Sequence, residues 1–133
     1  MRNPEDTILE YVQAFQSLDP DAVVPYYGLP CMFISPTNTT VVSDADSARA
    51  LVSLLIGQAK LQNYRRTEIM GSLEVRRLAA NLATVAGVYA RIGADDIEIM
   101  RFGFMYVMRA DGDRWKIIVA QAHDAPPVEG KAA

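Results

Sequence analysis

The sequence contains only one cysteine and one histidine, Cys31 and His123, among its 133 residues. A lone cysteine cannot form a disulfide within the chain, and one cysteine with one histidine is too few ligands for a zinc site. The cysteine also has no histidine or asparagine at a spacing that is typical of thiol nucleophiles. Because no phosphate-binding glycine loop is present either, the sequence predicts no metal and no cofactor.

Basic runs and long apolar runs are also missing. Lys and Arg total 13 against 16 Asp and Glu, giving a net charge of -3, which argues against binding to nucleic acids or anionic membranes. No apolar run approaches the roughly 20 residues of a membrane-spanning helix, and the polar, acidic start of the chain is unlike a signal peptide. These absences predict a cytoplasmic protein with no nucleic-acid or membrane partner.

The sequence does have enough apolar residues for one packed core. Half of it is hydrophobic, and its length is usual for a single domain. We predict one domain over residues 1–124. Residues 125–133, rich in Pro and Ala, are predicted to form a flexible tail.

Three helices are predicted in the first half of the chain. Asn3 suits an N-cap and Pro4 suits the first helical position, and the pair Asp19-Pro20 begins a short second helix by the same reasoning. The third helix begins after Ser43, where the apolar residues follow the helical period. These residues are Ala48, Leu51, Val52, Leu55, Ile56 and Ala59.

Strands account for most of the rest. A short hairpin is predicted between the second and third helices, with strands at Cys31–Ser35 and Thr39–Val42. Four longer segments then alternate with period two, at residues 64–77, 82–92, 97–109 and 114–123. Asp-Gly between the last two is a strong hairpin signal. The order predicts an α+β fold, a cone-shaped α+β barrel in which three N-terminal helices pack on a strongly bent antiparallel sheet.

Both faces of the third long segment are apolar. Phe102, Phe104 and Tyr106 alternate there with Gly103, Met105 and Val107. A sheet covered by helices on one side is normally polar on the other, so we predict that a second copy of the chain covers the remaining face. This homodimer would place Phe102, Phe104 and Tyr106 at its interface. The alternative is a sheet that curls enough to bury both faces itself.

The order of the elements and four short sequence pieces resemble the nuclear transport factor 2-like superfamily, which includes ketosteroid isomerases and polyketide cyclases. The pieces are YVQAF, SLDPD, FISP and DGDRWKI, at residues 11–15, 17–21, 33–36 and 111–117. The resemblance spans Pro4 to Asp124. It implies a cone whose open end holds a mostly apolar pocket, in proteins that are often dimers through the outer sheet face. The superfamily holds several enzyme classes and non-catalytic modules, so it assigns no function.

Ketosteroid isomerases combine an Asp base with a Tyr and a neutral Asp that bind the substrate oxygen. The resemblance places Tyr11 at the oxygen-binding tyrosine, Ser35 at the base and Met105 near the neutral acid. A serine is no base near neutral pH without a partner, and a methionine donates no hydrogen bond. The sequence therefore argues against ketosteroid isomerase activity.

Three residues remain candidates for catalysis: His123, Arg101 and Tyr11. The histidine, at the end of the last strand, could act as an acid or a base in the cavity mouth, or simply face solvent. Arg101, among apolar neighbours, could bind a carboxylate or an enolate oxygen, or form a salt bridge with Glu68 or Glu74. The tyrosine could equally be a core residue.

The predicted ligand-binding residues are aromatic rings, adaptable methionines and one serine, and plain core packing is the alternative for each. They are Phe15, Tyr26, Tyr27, Met32, Phe33, Ser35, Met105 and Trp115. We predict a pocket protein that binds an apolar or aromatic small molecule, and leave open weak acid–base chemistry of the isomerase, cyclase or hydrolase type. The alternative function is a non-catalytic homodimerisation or scaffolding module.

Overall fold

A computed structural model describes residues 3–125, so the predicted tail beyond residue 125 lies outside the described residues. In chain order the elements are α1 (Pro4–Gln16), α2 (Pro20–Val23), a 3₁₀ turn (Val24–Tyr26), β1 (Tyr27–Ile34), β2 (Thr39–Val42), α3 (Ala45–Leu61), β3 (Tyr64–Ala79), β4 (Leu82–Gly93), β5 (Glu98–Asp111) and β6 (Arg114–His123). No helix in this range is long and apolar enough to cross a membrane.

The helices begin close to the predicted positions. Pro4 opens α1, and the side chain of Asp19 caps α2 by accepting from the Asp21 N–H. The second helix is only four residues long, because Pro25 lacks the N–H that would extend it. The cap of α3 is Asp44, one residue later than predicted; it accepts from the Ser47 N–H at 2.8 Å.

Six strands form one sheet in the order β2-β1-β6-β5-β4-β3. Neighbours are antiparallel except for β1, which runs parallel to β6. The edge strands β2 and β3 do not pair with each other. The α+β prediction is therefore confirmed, whereas the predicted cone-shaped barrel is corrected to a sheet that does not close, with three helices, one of them a single turn.

The two faces of the sheet differ in what they pack against. The inner face meets α1 and α3 and carries Phe104, Tyr106 and Trp115 within the hydrophobic core. In the register between β5 and β6, Tyr106 lies opposite Ala120, and Met108 lies opposite Ile117. This shift inserts one extra residue into β6, a β-bulge. It places Ala120 on the same face as Ile117, whereas strict alternation would separate them.

The predicted dimer-interface residues need correction. Phe104 is 1% exposed and Tyr106 is 6% exposed within a single chain, and Phe102 packs against the same core. All three point inward. A side chain buried in its own chain cannot also meet a second copy, so any interface on the outer face would use their alternating neighbours, Met105 and Val107.

Candidate functional site

A cavity of about 580 Å³ lies between α1, α3 and the inner face of the sheet. Its walls are mostly apolar and aromatic. Tyr11 and Phe15 contribute from α1, Leu51 and Leu55 from α3, and the inner face of the sheet supplies the rest: Phe33, Tyr89, Arg91, Met100, Phe102, Phe104, Tyr106, Ala120 and Ala122. The volume falls within the range of small-molecule sites, and apolar walls with few polar groups are typical of them.

Four tyrosines form a hydrogen-bonded group along the buried wall. The hydroxyls of Tyr11 and Tyr27 are 2.5 Å apart, and the Tyr106 hydroxyl donates to that of Tyr89 at 3.1 Å. The ring of Tyr11 meets that of Tyr106 edge-on, with centroids 5.8 Å apart. Each hydroxyl therefore has a partner inside the protein.

Burial controls the protonation of this group. It raises the pKa of Tyr11 and Tyr89 above the usual 10.0, and raises the pKa of Tyr27 and Tyr106 well above it, because a phenolate would lose its hydration. The four hydroxyls stay neutral across the physiological range. In each pair one proton is already donated to the partner hydroxyl, so at most one hydroxyl of a pair is free to donate to a ligand oxygen, and none is a phenolate that could act as a base.

Arg91 is the basic side chain of the cavity wall. Its guanidinium lies over three rings, 5.2 Å from the centroid of Phe15, 5.3 Å from that of Phe102 and 5.7 Å from that of Tyr64. It is half-buried. Among residues 3–125, no carboxylate lies within ion-pair distance of it.

Polar residues mark the mouth of the cavity. Ser35, Asn38 and Thr40 border it at the β1–β2 turn, and His123 and Asp124 border it at the end of β6. The Ser35 hydroxyl accepts from the Thr37 N–H at 3.4 Å, as part of that turn. Among the described residues, the Ser35 hydroxyl has no hydrogen bond to a basic side chain.

The predicted ligand-binding residues divide into three groups. Phe15, Phe33 and Ser35 line the cavity, and so does the candidate Tyr11. Tyr26 and Tyr27 pack behind Tyr11, and Trp115 is 2% exposed in the core. Met32 lies opposite Val119 and Met105 lies opposite Gln121, which puts both methionines on the outer face.

The three predicted catalytic residues are not brought together. Arg101 lies on the outer face, 44% exposed, and pairs with Glu98 at 2.6 Å. The alternative prediction for Arg101, a salt bridge, is thus confirmed, but its partner is Glu98 rather than Glu68 or Glu74. Only Tyr11 lies in the cavity wall.

The imidazole of His123 also lies on the outer side of the sheet. It covers the Cα of Gly103, where a side chain would collide with it, and its Nδ1 is 2.9 Å from the Asp124 carbonyl oxygen. Strict alternation along β6 would place His123 on the same face as Trp115, and the bulge reverses that alternation. The neighbour of Gly103, Phe104, points the opposite way, into the core.

Sequence reasoning missed Arg91 as a cavity residue. Alternation in β4 puts Arg91 on the same face as Tyr89, two residues before it, and only the pairing with Met100 shows that this face is the inner one. Cys31 raises no competing chemistry, because burial raises the pKa of its thiol to about 11.

Comparisons with known proteins agree with this architecture. The model of the family described as NTF2-like protein (DUF6841) matches residues 4–125. None of the curated proteins matches the sequence.

Three solved structures illustrate the similarity of the fold. A candidate calcium/calmodulin-dependent protein kinase type II association domain from Thiobacillus denitrificans has a TM-score of 0.74 at 16% identity, covering 93% of this chain and 96% of its own. A candidate scytalone dehydratase from Novosphingobium aromaticivorans has a TM-score of 0.67 at 13% identity, covering 89% of this chain and 78% of its own. A ketosteroid isomerase-like protein from Erwinia carotovora atroseptica has a TM-score of 0.61 at 16% identity, covering 92% of this chain and 94% of its own.

Identities this low support the fold alone. The family match, by contrast, covers nearly the whole described chain and confirms the resemblance found in the sequence. The chain belongs to the NTF2-like protein family DUF6841.

Proposed function

We propose that this protein binds a small apolar or aromatic molecule in the cavity between α1, α3 and the inner face of the sheet. The observation that carries the proposal is the cavity itself, about 580 Å³ and walled by aromatic rings. A cavity of this size leaves the side chains of its wall without packing contacts that they would have in a core with only a structural role. Structures of similar fold include a candidate dehydratase and an isomerase-like protein, which fits a site for cyclic ligands.

The groups around the cavity favour binding over acid–base catalysis. The tyrosine hydroxyls stay neutral, and Asp124, the acid that borders the cavity in the described range, is exposed at the mouth. A general base must reach the proton that it removes. The tyrosines have no carboxylate partner among the described hydrogen bonds. The cavity thus offers hydrogen-bond donors and one cation without an assembled proton acceptor.

Filling the cavity tests the proposal. Thermal unfolding is measured with 2-naphthol, 2-naphthamide and 2-naphthoate, because a ligand at about 100 times its Kd stabilises the folded state by about 2.7 kcal/mol. Ala122→Phe places a ring in the cavity mouth and is expected to abolish the stabilisation. Ala50→Phe adds the same ring on the exposed face of α3 and serves as the control.

Two results would contradict the proposal. One is stabilisation of the wild type by none of the three compounds. The other is equal stabilisation of the wild type and a folded Ala122→Phe variant, which would place the binding elsewhere on the protein.

A homodimeric association module is the second candidate function. Val88, Met105, Val107 and Val119 are half-buried apolar residues on the outer face, opposite the helices, and a second copy would cover them. A structure of similar fold is a candidate kinase association domain. Light scattering of the full chain is expected to give the mass of a dimer, and a monomer mass would contradict this candidate.

A further inference from the structure

Arg91 differs from the arginines that the fold itself satisfies. Arg49, Arg66 and Arg101 each have a carboxylate within 3.0 Å, and Arg49 and Arg101 are exposed. Arg91 is half-buried in the cavity wall and has none among residues 3–125. Partial removal of a guanidinium from water without a paired anion is unfavourable, so an anionic ligand would stabilise Arg91 in this position.

The rings around Arg91 hold its position and leave its donors available. Phe15, Tyr64 and Phe102 surround it at centroid distances of 5.2 to 5.7 Å. Such contacts stabilise the cation through the faces of the rings, and the ring faces do not replace the in-plane acceptors that its N–H groups prefer. No side-chain or backbone acceptor for those groups is present among the described hydrogen bonds. The guanidinium is held in place with its donors unused.

The register of the sheet shows what lies beside the guanidinium. Arg91 is opposite Met100, and the next inward pair on the same face is Tyr89 opposite Phe102. Phe104 follows, with its ring stacked on that of Tyr89 at 3.9 Å. Successive pairs on one face are about 7 Å apart, which is close to the length of a bicyclic ring system. An anionic group at Arg91 would therefore leave a flat apolar body against Phe102 and Phe104.

We propose that the ligand of this cavity is a planar apolar carboxylate, with its carboxylate paired to Arg91 and its ring system against Phe102 and Phe104. The inference rests on the proposed function, because it assigns a chemical class to the occupant of the same cavity. A carboxylate matches the fork of the guanidinium. A single cation in the wall suits a monoanion better than a phosphate dianion.

The test compares 2-naphthoate with 2-naphthamide, which has the same ring system without the charge. Isothermal titration gives the two affinities for the wild type, Arg91→Met and Arg91→Lys, and the measured quantity is their ratio, so that a general weakening of the cavity cancels. Arg101→Met is the matched control, since it removes an arginine from the outer face of the same sheet.

In the wild type, naphthoate is expected to bind about tenfold or more tightly than naphthamide. The preference is expected to vanish in Arg91→Met, to shrink in Arg91→Lys, which keeps the charge without the fork, and to persist in Arg101→Met. Equal binding of the two compounds by the wild type, or a preference that survives Arg91→Met, would overturn the inference and leave the proposed function standing. Binding of neither compound would overturn the inference, and the absence of 2-naphthol binding as well would overturn the proposed function.

Discussion

Phe104 and Met105 are neighbours in β5 with opposite surroundings. Phe104 is 1% exposed and stacks on Tyr89, whereas Met105 is half-buried on the outer face opposite Gln121. Both are apolar, so the residue types alone do not reveal which face the helices cover. The packing shows which face is covered: Phe104 belongs to the core, whereas Met105 is a candidate for contact with a second copy of the chain.

This contrast predicts opposite results for the same substitution. Phe104→Asp places a charge in the core and is expected to lower the free energy of unfolding by more than about 4 kcal/mol. Met105→Asp is expected to keep the fold and to halve the mass of the dimer in solution. Urea denaturation and light scattering measure the two effects. A stably folded Phe104→Asp protein would refute the inward assignment of this residue.

At the scale of elements, the first turn of α3 is fixed by one reciprocal cap. Asp44 accepts from the Ser47 N–H, and the Asp44 N–H donates to the Ser47 hydroxyl at 3.3 Å. Two hydrogen bonds to its carboxylate, chiefly that from the Ser47 backbone N–H and then that from the Ser47 hydroxyl at 2.8 Å, hold the pKa of Asp44 below its usual 3.8. Because α3 forms one wall of the cavity, the cap also helps to position Leu51 and Leu55.

The cap predicts a pH-dependent loss of stability. Asp44→Ala is expected to lower the thermal midpoint by a few degrees at pH 7. The pKa of Asp44 is lower in the folded state than in the unfolded state, so its contribution is complete above about pH 4 and is lost as the pH falls through the folded value. The difference between the two proteins should therefore shrink as the pH falls below about 4.

Asp46→Ala removes a neighbouring acid from the same turn without removing the cap, and provides the control for Asp44→Ala. An equal effect of both substitutions at pH 7 would show that charge near the helix end, rather than the cap, is responsible. A difference between wild type and Asp44→Ala that stays constant down to pH 3 would contradict the role assigned to the ionised carboxylate.

Local sequence patterns predicted the elements well because their causes are local. Pro4, Asp19 and the periodic apolar residues of α3 act within one helix, and the hairpin strand Thr39–Val42 follows from its own turn. The bulge in β6 depends on a partner strand, since it appears only as a shift in the pairing of Val119 and Ile117. Alternation alone therefore misplaced His123.

In the site, too, the residues with local signals were predictable, whereas those that depend on strand pairing were not. Tyr11, Phe15 and Phe33 were recognised as cavity residues because the resemblance and the residue types pointed to them. Arg101 and Arg91 both lie among apolar neighbours, and only the pairing of β4 with β5 shows that one faces solvent and the other faces the cavity. Burial of an arginine is decided by the assembled sheet, which no short pattern encodes.

At the scale of the whole molecule, the open sheet and the helices leave a space that the side chains do not fill. The inner face supplies rings and neutral hydroxyls, Arg91 supplies the charge, and the β1–β2 turn and the end of β6 frame the mouth. The outer face carries apolar residues without a helix over them. We therefore propose that one face of the sheet binds a ligand and that the other face associates with a second copy.

Nuclear magnetic resonance of the isotope-labelled full chain tests the central claim most directly. During titration with 2-naphthamide and then 2-naphthoate, the amide signals of cavity residues such as Phe15, Phe33, Phe102 and Ala122 are expected to shift together and to saturate. Shifts confined to Met105 and its outer-face neighbours, or no saturable shift with either compound, would contradict the claim that this cavity is the binding site.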